Sequence, residues 1–170
     1  MKNLKLFSVR RILSLLLVML LIFAFNTCKK ASEKASEKMI EKSISNDADI
    51  DIEKDKVTIK TNEGTFTTDV SVKSWSSEIS NEVPEFKQGN ILSVTTQKMD
   101  EGNSWVIAFE NVPDSALKEY QTKLKNNSFK INNMTTYGAG GMLAAEKDKL
   151  SVLIMIGDDN ATVTIVEKKK

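Results

Sequence analysis

The stretch LSVLIMIGDDNATVTIV, residues 150–166, decides the fold of this chain. Two apolar runs with a period of two flank the turn sequence GDDN, residues 157–160, which predicts a β-hairpin. The first run carries apolar side chains on both faces: Leu150, Val152, Ile154 and Ile156 on one, Leu153 and Met155 on the other. We therefore expect this strand to be central in its sheet and covered on both sides.

Further strands with a period of two are predicted upstream of this hairpin. They lie at residues 50–52, 57–59, 65–72, 91–96, 105–109, 129–133 and 142–146. Trp105, Ile107 and Phe109 share one face of their strand, which should be the core face. Because most connections between these strands are short, antiparallel neighbours are expected.

One helix is predicted within the domain, over residues 115–125. We expect Asp114 to be its N-cap, accepting hydrogen bonds from the free backbone N–H groups of the first turn. Asn126 and Asn127 can take the left-handed conformation that ends a helix. Three side chains form one stripe that should face the sheet: Leu117, Tyr120 and Leu124.

These elements predict an α+β fold, in which an antiparallel sheet has one main helix packed on a face. An N-terminal β-meander and a helical or flexible tether precede it. The predicted organisation is a leader over residues 1–27, a charged tether over 28–47, a single domain over 48–167 and a basic tail over 168–170. A domain of this size can bury an adequate apolar core without disulfides.

The first 27 residues have the organisation of an export signal. An apolar stretch over residues 12–25 follows a basic segment with Lys2, Lys5, Arg10 and Arg11. A transmembrane helix needs about 20 apolar residues, so this shorter stretch is more typical of a cleaved signal. We expect everything that follows it to be delivered outside the cytoplasm.

Cys28, the single cysteine, comes shortly after the apolar stretch. A lipoprotein signal peptidase would leave its new N-terminus here, so we predict that Cys28 carries fatty acids such as palmitate and anchors the chain to a membrane. Phe25, Asn26 and Thr27 fit the usual lipobox only loosely. The alternatives are an uncleaved anchor and an ordinary signal with an incidental cysteine, although the latter needs small residues at these positions. Because Lys29 is not the Asp that commonly marks inner-membrane retention, sorting to an outer membrane is permitted.

Residues 29–47 are rich in charge and contain the repeat ASEKASEK, residues 31–38. On a helix this repeat stacks like charges four residues apart, which is mildly repulsive. A marginal helix or a flexible spacer is therefore expected. Met39, Ile40 and Ile44 offer the alternative that the end of this segment docks onto the domain.

The charge balance argues against nucleic-acid binding. The chain has 24 Lys+Arg and 23 Asp+Glu, and residues 1–27 contain four basic residues and no acidic ones, so the mature chain has a net charge of −3. A nucleic-acid-binding surface needs clustered cations. The terminal run of three lysines is expected to be a solvated end.

The types of residue present exclude several catalytic chemistries. The chain contains no histidine, which removes Ser-His and Cys-His nucleophiles and His zinc sites, and an acylated Cys28 has no free thiol. The glycine cluster at residues 138–141 lacks the P-loop Lys and predicts a mobile loop. Asp47, Asp49 and Asp51 resemble the start of a calcium loop, but the glycine and the final Glu of that loop are missing. We predict no cofactor and no metal site.

The segment WSSEISNEVPEF, residues 75–86, carries a resemblance to a known family. Together with Gly89, it resembles the Trp-Pro, Ile-Pro and Val-Pro-x-Phe loop motif of an uncharacterised bacterial lipoprotein domain family, a domain of unknown function. In this chain Ser76 and Ser80 stand where prolines are expected. The resemblance covers roughly residues 33–166 and implies an envelope lipoprotein. Since the family has no assigned activity, the resemblance implies no functional residues.

Three bulky apolar residues of that segment, Trp75, Val83 and Phe86, are the candidate interaction surface. Pro84 favours extended backbone at Val83. One interpretation is that all three dock inward, so that the loop covers the sheet or one end of the core. The other is that Trp75 stays partly exposed and belongs to an aromatic recognition patch, since Trp is enriched at binding hot spots.

The sequence therefore predicts a membrane-anchored lipoprotein of the cell envelope. Its domain is expected to bind an unknown envelope protein or component without catalysing a reaction. The alternative is a small envelope hydrolase that uses two carboxylates, because Asp and Glu are plentiful. The scarcity of aromatic residues to line a sugar cleft argues against a glycosidase.

The acylation of Cys28 can be tested by substitution. A diacylated N-terminus holds a protein firmly on a membrane, so the wild type should partition into the detergent phase and incorporate a labelled fatty acid. We expect Cys28→Ala to lose the label and to remain unprocessed or be released. Phase partition and labelling that are the same in the variant would contradict the prediction.

Overall fold

In a computed structural model of the chain, residues 48–138 and 140–169 are described. The predicted leader, Cys28, the tether and Asp47 lie outside the described residues. Within them the chain forms nine strands and one helix. In chain order these are β1 (Asp49–Glu53), β2 (Lys56–Thr61), β3 (Gly64–Asp69), β4 (Asn90–Met99), β5 (Gly102–Glu110), α1 (Ala116–Asn126), β6 (Lys130–Tyr137), β7 (Gly140–Lys147), β8 (Leu150–Gly157) and β9 (Asn160–Lys168).

All nine strands belong to one antiparallel sheet with the order β1-β2-β3-β4-β5-β9-β8-β7-β6. The first five strands form a meander. The chain then passes through α1 to the far edge of the sheet, where β6 begins a second meander that returns inward. Its last strand, β9, pairs with β5 along the whole length of both strands and joins the two meanders.

The prediction of an α+β fold is wrong, because the described residues form a mostly β structure with a single short helix. The N-terminal meander is not separate from the sheet formed by the later strands, because all nine strands belong to one sheet. It continues into the second meander through the pairing of β5 with β9. The helix, 11 residues long, packs on β6 and β7 and covers only part of one face.

The predicted strand positions are confirmed in outline, and two details of the helix are wrong. The N-cap is Ser115 rather than Asp114, and its side chain caps no backbone N–H group. Instead, Ser115 Oγ donates a hydrogen bond of 2.7 Å to Glu119 Oε1. The left-handed residue after the helix is Ser128, with φ 64°, rather than Asn126 or Asn127.

The face of the sheet under α1, here called the helix face, carries the main core. Trp105, Ile107 and Phe109 on β5 are buried on this face, as predicted. The stripe predicted for α1 packs onto the same core, with Leu124 fully buried. The register aligns the central β5 row with apolar residues of β9, β8 and β7: Ile107, Val163, Ile154 and Leu143.

The opposite side, here called the back face, was expected to be covered at β8. That expectation is wrong for Met155, which is 46% exposed, while Leu153 is half-buried. The strand is nevertheless central, between β7 and β9. The middle of the back face on β5, β9 and β8 is uncharged: Ser104, Val106, Ala108, Thr162, Thr164, Val166, Ser151, Leu153 and Met155.

The apolar side of the sheet changes from one face to the other between β3 and β4. Gln97 on β4 pairs with Ser104, the neighbour of Trp105, so Gln97 lies on the back face. Phe66 pairs with Gln97, and Ile59 pairs with Phe66. The apolar residues of β1–β3 therefore lie on the back face: Ile50, Ile52, Val57, Ile59 and Phe66. Their helix face carries the charged residues instead: Asp49, Asp51, Glu53, Lys56, Lys60 and Asp69.

The glycine cluster is part of the sheet rather than the predicted mobile loop. Gly138, with φ 56°, turns the β6–β7 hairpin, and Gly140 and Gly141 begin β7. A Cβ atom at Gly141 would lie 2.7 Å from Leu117 Cδ2, so the missing side chain lets α1 approach the strand closely. At the predicted basic tail, Lys168 ends β9.

Core truncation should show which face stabilises the domain. Trp105 and Leu124 are almost fully buried, so Trp105→Ala should lower the free energy of unfolding by about 3–5 kcal/mol and Leu124→Ala by about 2–5 kcal/mol. Leu92→Ala is the matched control, because Leu92 is 39% exposed, and should cost only about 0.5 kcal/mol. Denaturant midpoints that fall equally in Leu92→Ala and Leu124→Ala would contradict this assignment of the core.

Candidate functional site

The candidate site lies in the connection between β3 and β4, residues 70–89, here called the 70–89 loop. The two strands that the loop connects are adjacent and antiparallel, so a short turn would be enough to connect them. The loop instead runs over the helix face, where Ile79, Val83 and Phe86 enter the core. It therefore serves as a cover for part of the core as well as a connection.

Two consecutive four-residue turns shape the middle of the loop. In the first, the Ile79 N–H donates to the Ser76 carbonyl oxygen at 3.3 Å, and in the second the Val83 N–H donates to that of Ser80 at 3.0 Å. Each serine hydroxyl also accepts a hydrogen bond of 3.3 Å from the backbone N–H two residues later. These side-chain turns fix the backbone at Ser76 and Ser80.

Each turn is also tied to the sheet by an ion pair. Glu78 accepts a hydrogen bond from Lys98 Nζ on β4 at 2.9 Å. Glu82 lies 2.6 Å from Lys147 Nζ on β7. The hydrogen bond and the positive charge of Lys147 hold the pKa of Glu82 below its usual value. Both pairs are partly exposed, so each contributes modestly to stability.

An aromatic cluster fixes the end of the loop. The Phe86 ring meets the Phe109 ring edge to face, with 4.8 Å between centroids, and the Tyr120 ring likewise at 5.2 Å. Tyr120 Oη donates a hydrogen bond of 2.9 Å to the carbonyl oxygen of Pro84. Burial raises the pKa of the Tyr120 hydroxyl, so it remains a donor at any physiological pH.

The three residues of the predicted interaction surface have different environments. Val83 is 3% exposed and Phe86 is 2% exposed, so both are part of the core. Trp75 is half-buried and packs against the edge of the core. Of the three, Trp75 alone can present a substantial surface to a partner.

Trp75 lines an open groove of about 500 Å³. The walls include Ile79, Val83 and Pro84, and Glu85 brings one carboxylate to the groove. The other polar lining consists of hydroxyl and amide groups: Ser74, Ser76, Ser77, Ser80 and Asn81. An indole surface among neutral hydrogen-bonding groups suits an uncharged ligand that stacks on the ring and exchanges hydrogen bonds with hydroxyls.

Sequence reasoning missed the device that holds the groove in place. The tetrapeptides SSEI, residues 76–79, and SNEV, residues 80–83, repeat one pattern: a turn serine, a variable residue, a paired Glu and a buried aliphatic residue. The repeat is visible in the sequence. Its meaning depends on Lys98 and Lys147, which are distant in the chain and become recognisable as partners only in the fold.

A second, shallower depression of about 230 Å³ was also not predicted. It lies beside Tyr137 and Met155, which are 60% and 46% exposed. Gly157 forms part of its lining, and a Cβ atom there would meet open space. The depression lacks charged lining residues and has about half the volume of the Trp75 groove, so it offers a ligand fewer contacts.

The acidic residues give no support to the hydrolase alternative. Within residues 48–138 and 140–169, no group of three or more metal-binding side chains is assembled. The carboxyl groups with shifted pKa values, Asp69, Glu82 and Glu119, are all shifted downward, chiefly by hydrogen bonds from Ser71, Lys147 and Ser115 respectively. A catalytic acid needs a raised pKa, so these three groups are unsuited to that role.

Comparison with protein-family models, curated proteins and solved structures finds no match for this chain. The resemblance inferred from residues 75–86 therefore stays a prediction. The helix in the described part of the chain is too short and too polar to cross a membrane.

The Glu82–Lys147 pair predicts a pH dependence of the loop anchor. The folded-state pKa of Glu82 is depressed, so its stabilising contribution is present above the reference value of 4.5 and is lost as the pH falls through the lower folded-state value. In an NMR titration the Glu82 carboxyl should have its midpoint below 4.5, and Lys147→Met should raise that midpoint. Lys98→Met is the control and should leave it unchanged. A midpoint unaffected by Lys147→Met would contradict the assignment.

Proposed function

We propose that this chain is a lipid-anchored protein of the cell envelope, whose domain binds an envelope protein or component through the Trp75 groove and catalyses no reaction. The observation that carries the proposal is a half-buried Trp75 beside an open groove, on a loop whose Val83 and Phe86 are fully part of the core. Binding residues commonly lie on loops that a rigid scaffold positions. The anchor is the predicted acylation of Cys28.

The rigidity of the loop supports a binding role. The 70–89 loop is held by three buried side chains, two serine turns and two ion pairs, so the groove is formed before a ligand arrives. A preformed site loses less conformational entropy on binding than a loop that must become ordered. Trp75 itself is an efficient contact residue, because a large rigid side chain contributes area at a small entropic cost.

The chemistry of the groove narrows the kind of partner. Serine hydroxyls and one asparagine amide donate and accept hydrogen bonds without a net charge. Among the described residues, Glu85 is the one charged residue that lines the groove, and its carboxylate disfavours an anionic ligand. We infer a neutral partner surface rich in hydroxyl or amide groups, which a polypeptide or an uncharged glycan supplies.

A site-specific crosslinking experiment tests the proposal. A photoreactive amino acid at Ser77, an exposed groove residue, should capture a partner in intact envelopes, whereas the same group at Lys60 on β2 should not. Trp75→Ala should abolish the Ser77 adduct and lower the free energy of unfolding by about 1–2 kcal/mol, since the ring is only half-buried.

Asn81→Glu separates binding from stability. Asn81 is exposed, so the substitution should change the free energy of unfolding by less than about 0.5 kcal/mol while placing a second carboxylate at the groove. Loss of the adduct in this stably folded variant supports the groove as the binding site. An adduct that persists in both Asn81→Glu and Trp75→Ala contradicts it, and the mass of the captured species distinguishes a protein from a glycan.

A further inference from the structure

The Trp75 groove offers a ligand a flat ring surface rather than a row of apolar pockets. Of its apolar lining, Ile79 and Val83 are 6% and 3% exposed, so their side chains belong to the core. Trp75 and Pro84 are half-buried and keep part of their surface at the groove. The apolar surface that a ligand meets is therefore chiefly one indole ring, together with the ring of Pro84.

The usual modes of polypeptide recognition need features that differ from those of this groove. An added strand needs a free sheet edge, but β3 and β4, which the 70–89 loop connects, each have a neighbouring strand on both sides. An amphipathic helix needs several apolar pockets, a proline-rich segment needs several aromatic rings, and a phosphorylated motif needs clustered cations. The described lining residues include one aromatic ring and no cation. These observations favour a saccharide over a polypeptide.

The two serine turns leave hydroxyl protons for a ligand. Ser76 Oγ and Ser80 Oγ each accept a hydrogen bond of 3.3 Å from a backbone N–H group. Because the oxygen is the acceptor in both turns, each hydroxyl keeps its proton to donate, and both serines line the groove. Ser77 and Asn81 add exposed groups that donate and accept. A sugar hydroxyl also donates and accepts, so it matches this lining better than a group limited to one of the two roles.

The carboxylate of Glu85 selects among saccharides. It accepts hydrogen bonds and donates none, so it can hold two neighbouring hydroxyl groups of one sugar ring. Its ion-pair partner Lys87 is 3.5 Å away but does not belong to the lining. A sugar that carries carboxylate, sulfate or phosphate would be repelled, because no cation of the described lining offsets the charge of Glu85. The groove volume of about 500 Å³ lies within the range of about 300–1,000 Å³ that is typical of small-ligand sites.

We propose that the Trp75 groove binds an uncharged oligosaccharide segment of an envelope glycan. The apolar C–H face of one sugar ring stacks on the Trp75 indole, while its hydroxyl groups exchange hydrogen bonds with the groove serines, Asn81 and Glu85. This inference rests on the proposed function and names the class of ligand for the same site. One aromatic ring is sufficient for binding, because the groove holds the sugar on one side, whereas a glycosidase must enclose it in a cleft.

An oligosaccharide array tests the class of ligand directly. The full chain, purified in a detergent without a sugar headgroup, is applied to an array that displays neutral oligosaccharides and their acidic counterparts. We expect binding to neutral members that is at least about tenfold tighter than to acidic members with the same backbone, because Glu85 repels the added charge. Tyr137→Leu, which removes a 60% exposed aromatic ring outside the groove, is the control and should bind as the wild type does. A wild type that binds no neutral oligosaccharide, or that prefers acidic ones, overturns the proposal.

Two substitutions of Trp75 separate ring stacking from apolar contact. Trp75→Phe keeps an aromatic face, so the affinity for the neutral oligosaccharide should fall less than about fivefold, whereas Trp75→Leu keeps only an apolar side chain and should lose at least about tenfold. Denaturation midpoints of both variants show that folded proteins are compared. Equal affinities in the two variants would mean that the ring is no stacking surface and would overturn the proposal.

Glu85→Gln tests the selection against charge without relying on Trp75. Glu85 is exposed, and glutamine keeps its shape, so the variant should fold as the wild type does. We expect the ratio of acidic to neutral oligosaccharide binding to rise at least about fivefold, because the repelling carboxylate is gone. An unchanged ratio would place the sugar outside this groove and would overturn the assignment.

The photoreactive group at Ser77 distinguishes failure of this inference from failure of the proposed function. Acid hydrolysis of the adduct purified from intact envelopes should release neutral monosaccharides. An adduct that contains a second polypeptide and no sugar overturns the oligosaccharide assignment but leaves the groove as a binding site. The absence of any adduct at Ser77 contradicts both the proposed function and the oligosaccharide assignment.

Discussion

The pairing of β5 with β9 is the interaction on which the rest of the structure depends. Nine residue pairs in continuous register join two meanders that have no other strand pairing between them. The pairing aligns Trp105 with Ile165 and Ile107 with Val163, all buried on the helix face. It thereby extends the floor of the core from β4 to β7, so that the helix and the 70–89 loop can pack on the same apolar surface. The position of the Trp75 groove follows from that floor.

Much of the local structure could be predicted from the sequence, because strand positions depend on side-chain alternation within a few residues. The core face of β5 and the buried stripe of α1 follow from the same local periodicity. The partnership of β5 and β9 could not be predicted, because it joins residues 50 to 66 positions apart in the chain and leaves no local signal. Leu153 and Met155 led to the wrong expectation that β8 is covered on both faces. A strand whose second face is uncharged but open to solvent has the same sequence pattern as a strand that is covered on both faces.

The candidate site was predicted in part, and the reason lies in the two roles of the 70–89 loop. Bulky residues at positions 75, 83 and 86 indicated a loop with anchors, but residue type does not distinguish an anchor that is fully buried from one at the edge of the core. The distinction arises from the serine turns and from the ion pairs to β4 and β7, which seat Val83 and Phe86 and leave Trp75 at the rim. Rigidity that proline would provide through its ring is provided here by hydrogen bonds that the serine hydroxyls accept from backbone N–H groups.

The central position of β9 has a consequence for how the domain is assembled in time. Among the described strands, β9 is the last to be synthesised, yet it lies beside β5 in the middle of the sheet. Until it is available, β5 and β8 are exposed edges, and they are the two described strands richest in apolar residues, which makes them templates for aggregation. Its long-range pairing also predicts slow folding. A prematurely terminated or cleaved chain that lacks residues 160–168 would therefore leave two separate sheets with exposed apolar edges rather than a smaller folded domain. The truncated chain would be aggregation-prone, and only the chain that includes β9 would fold.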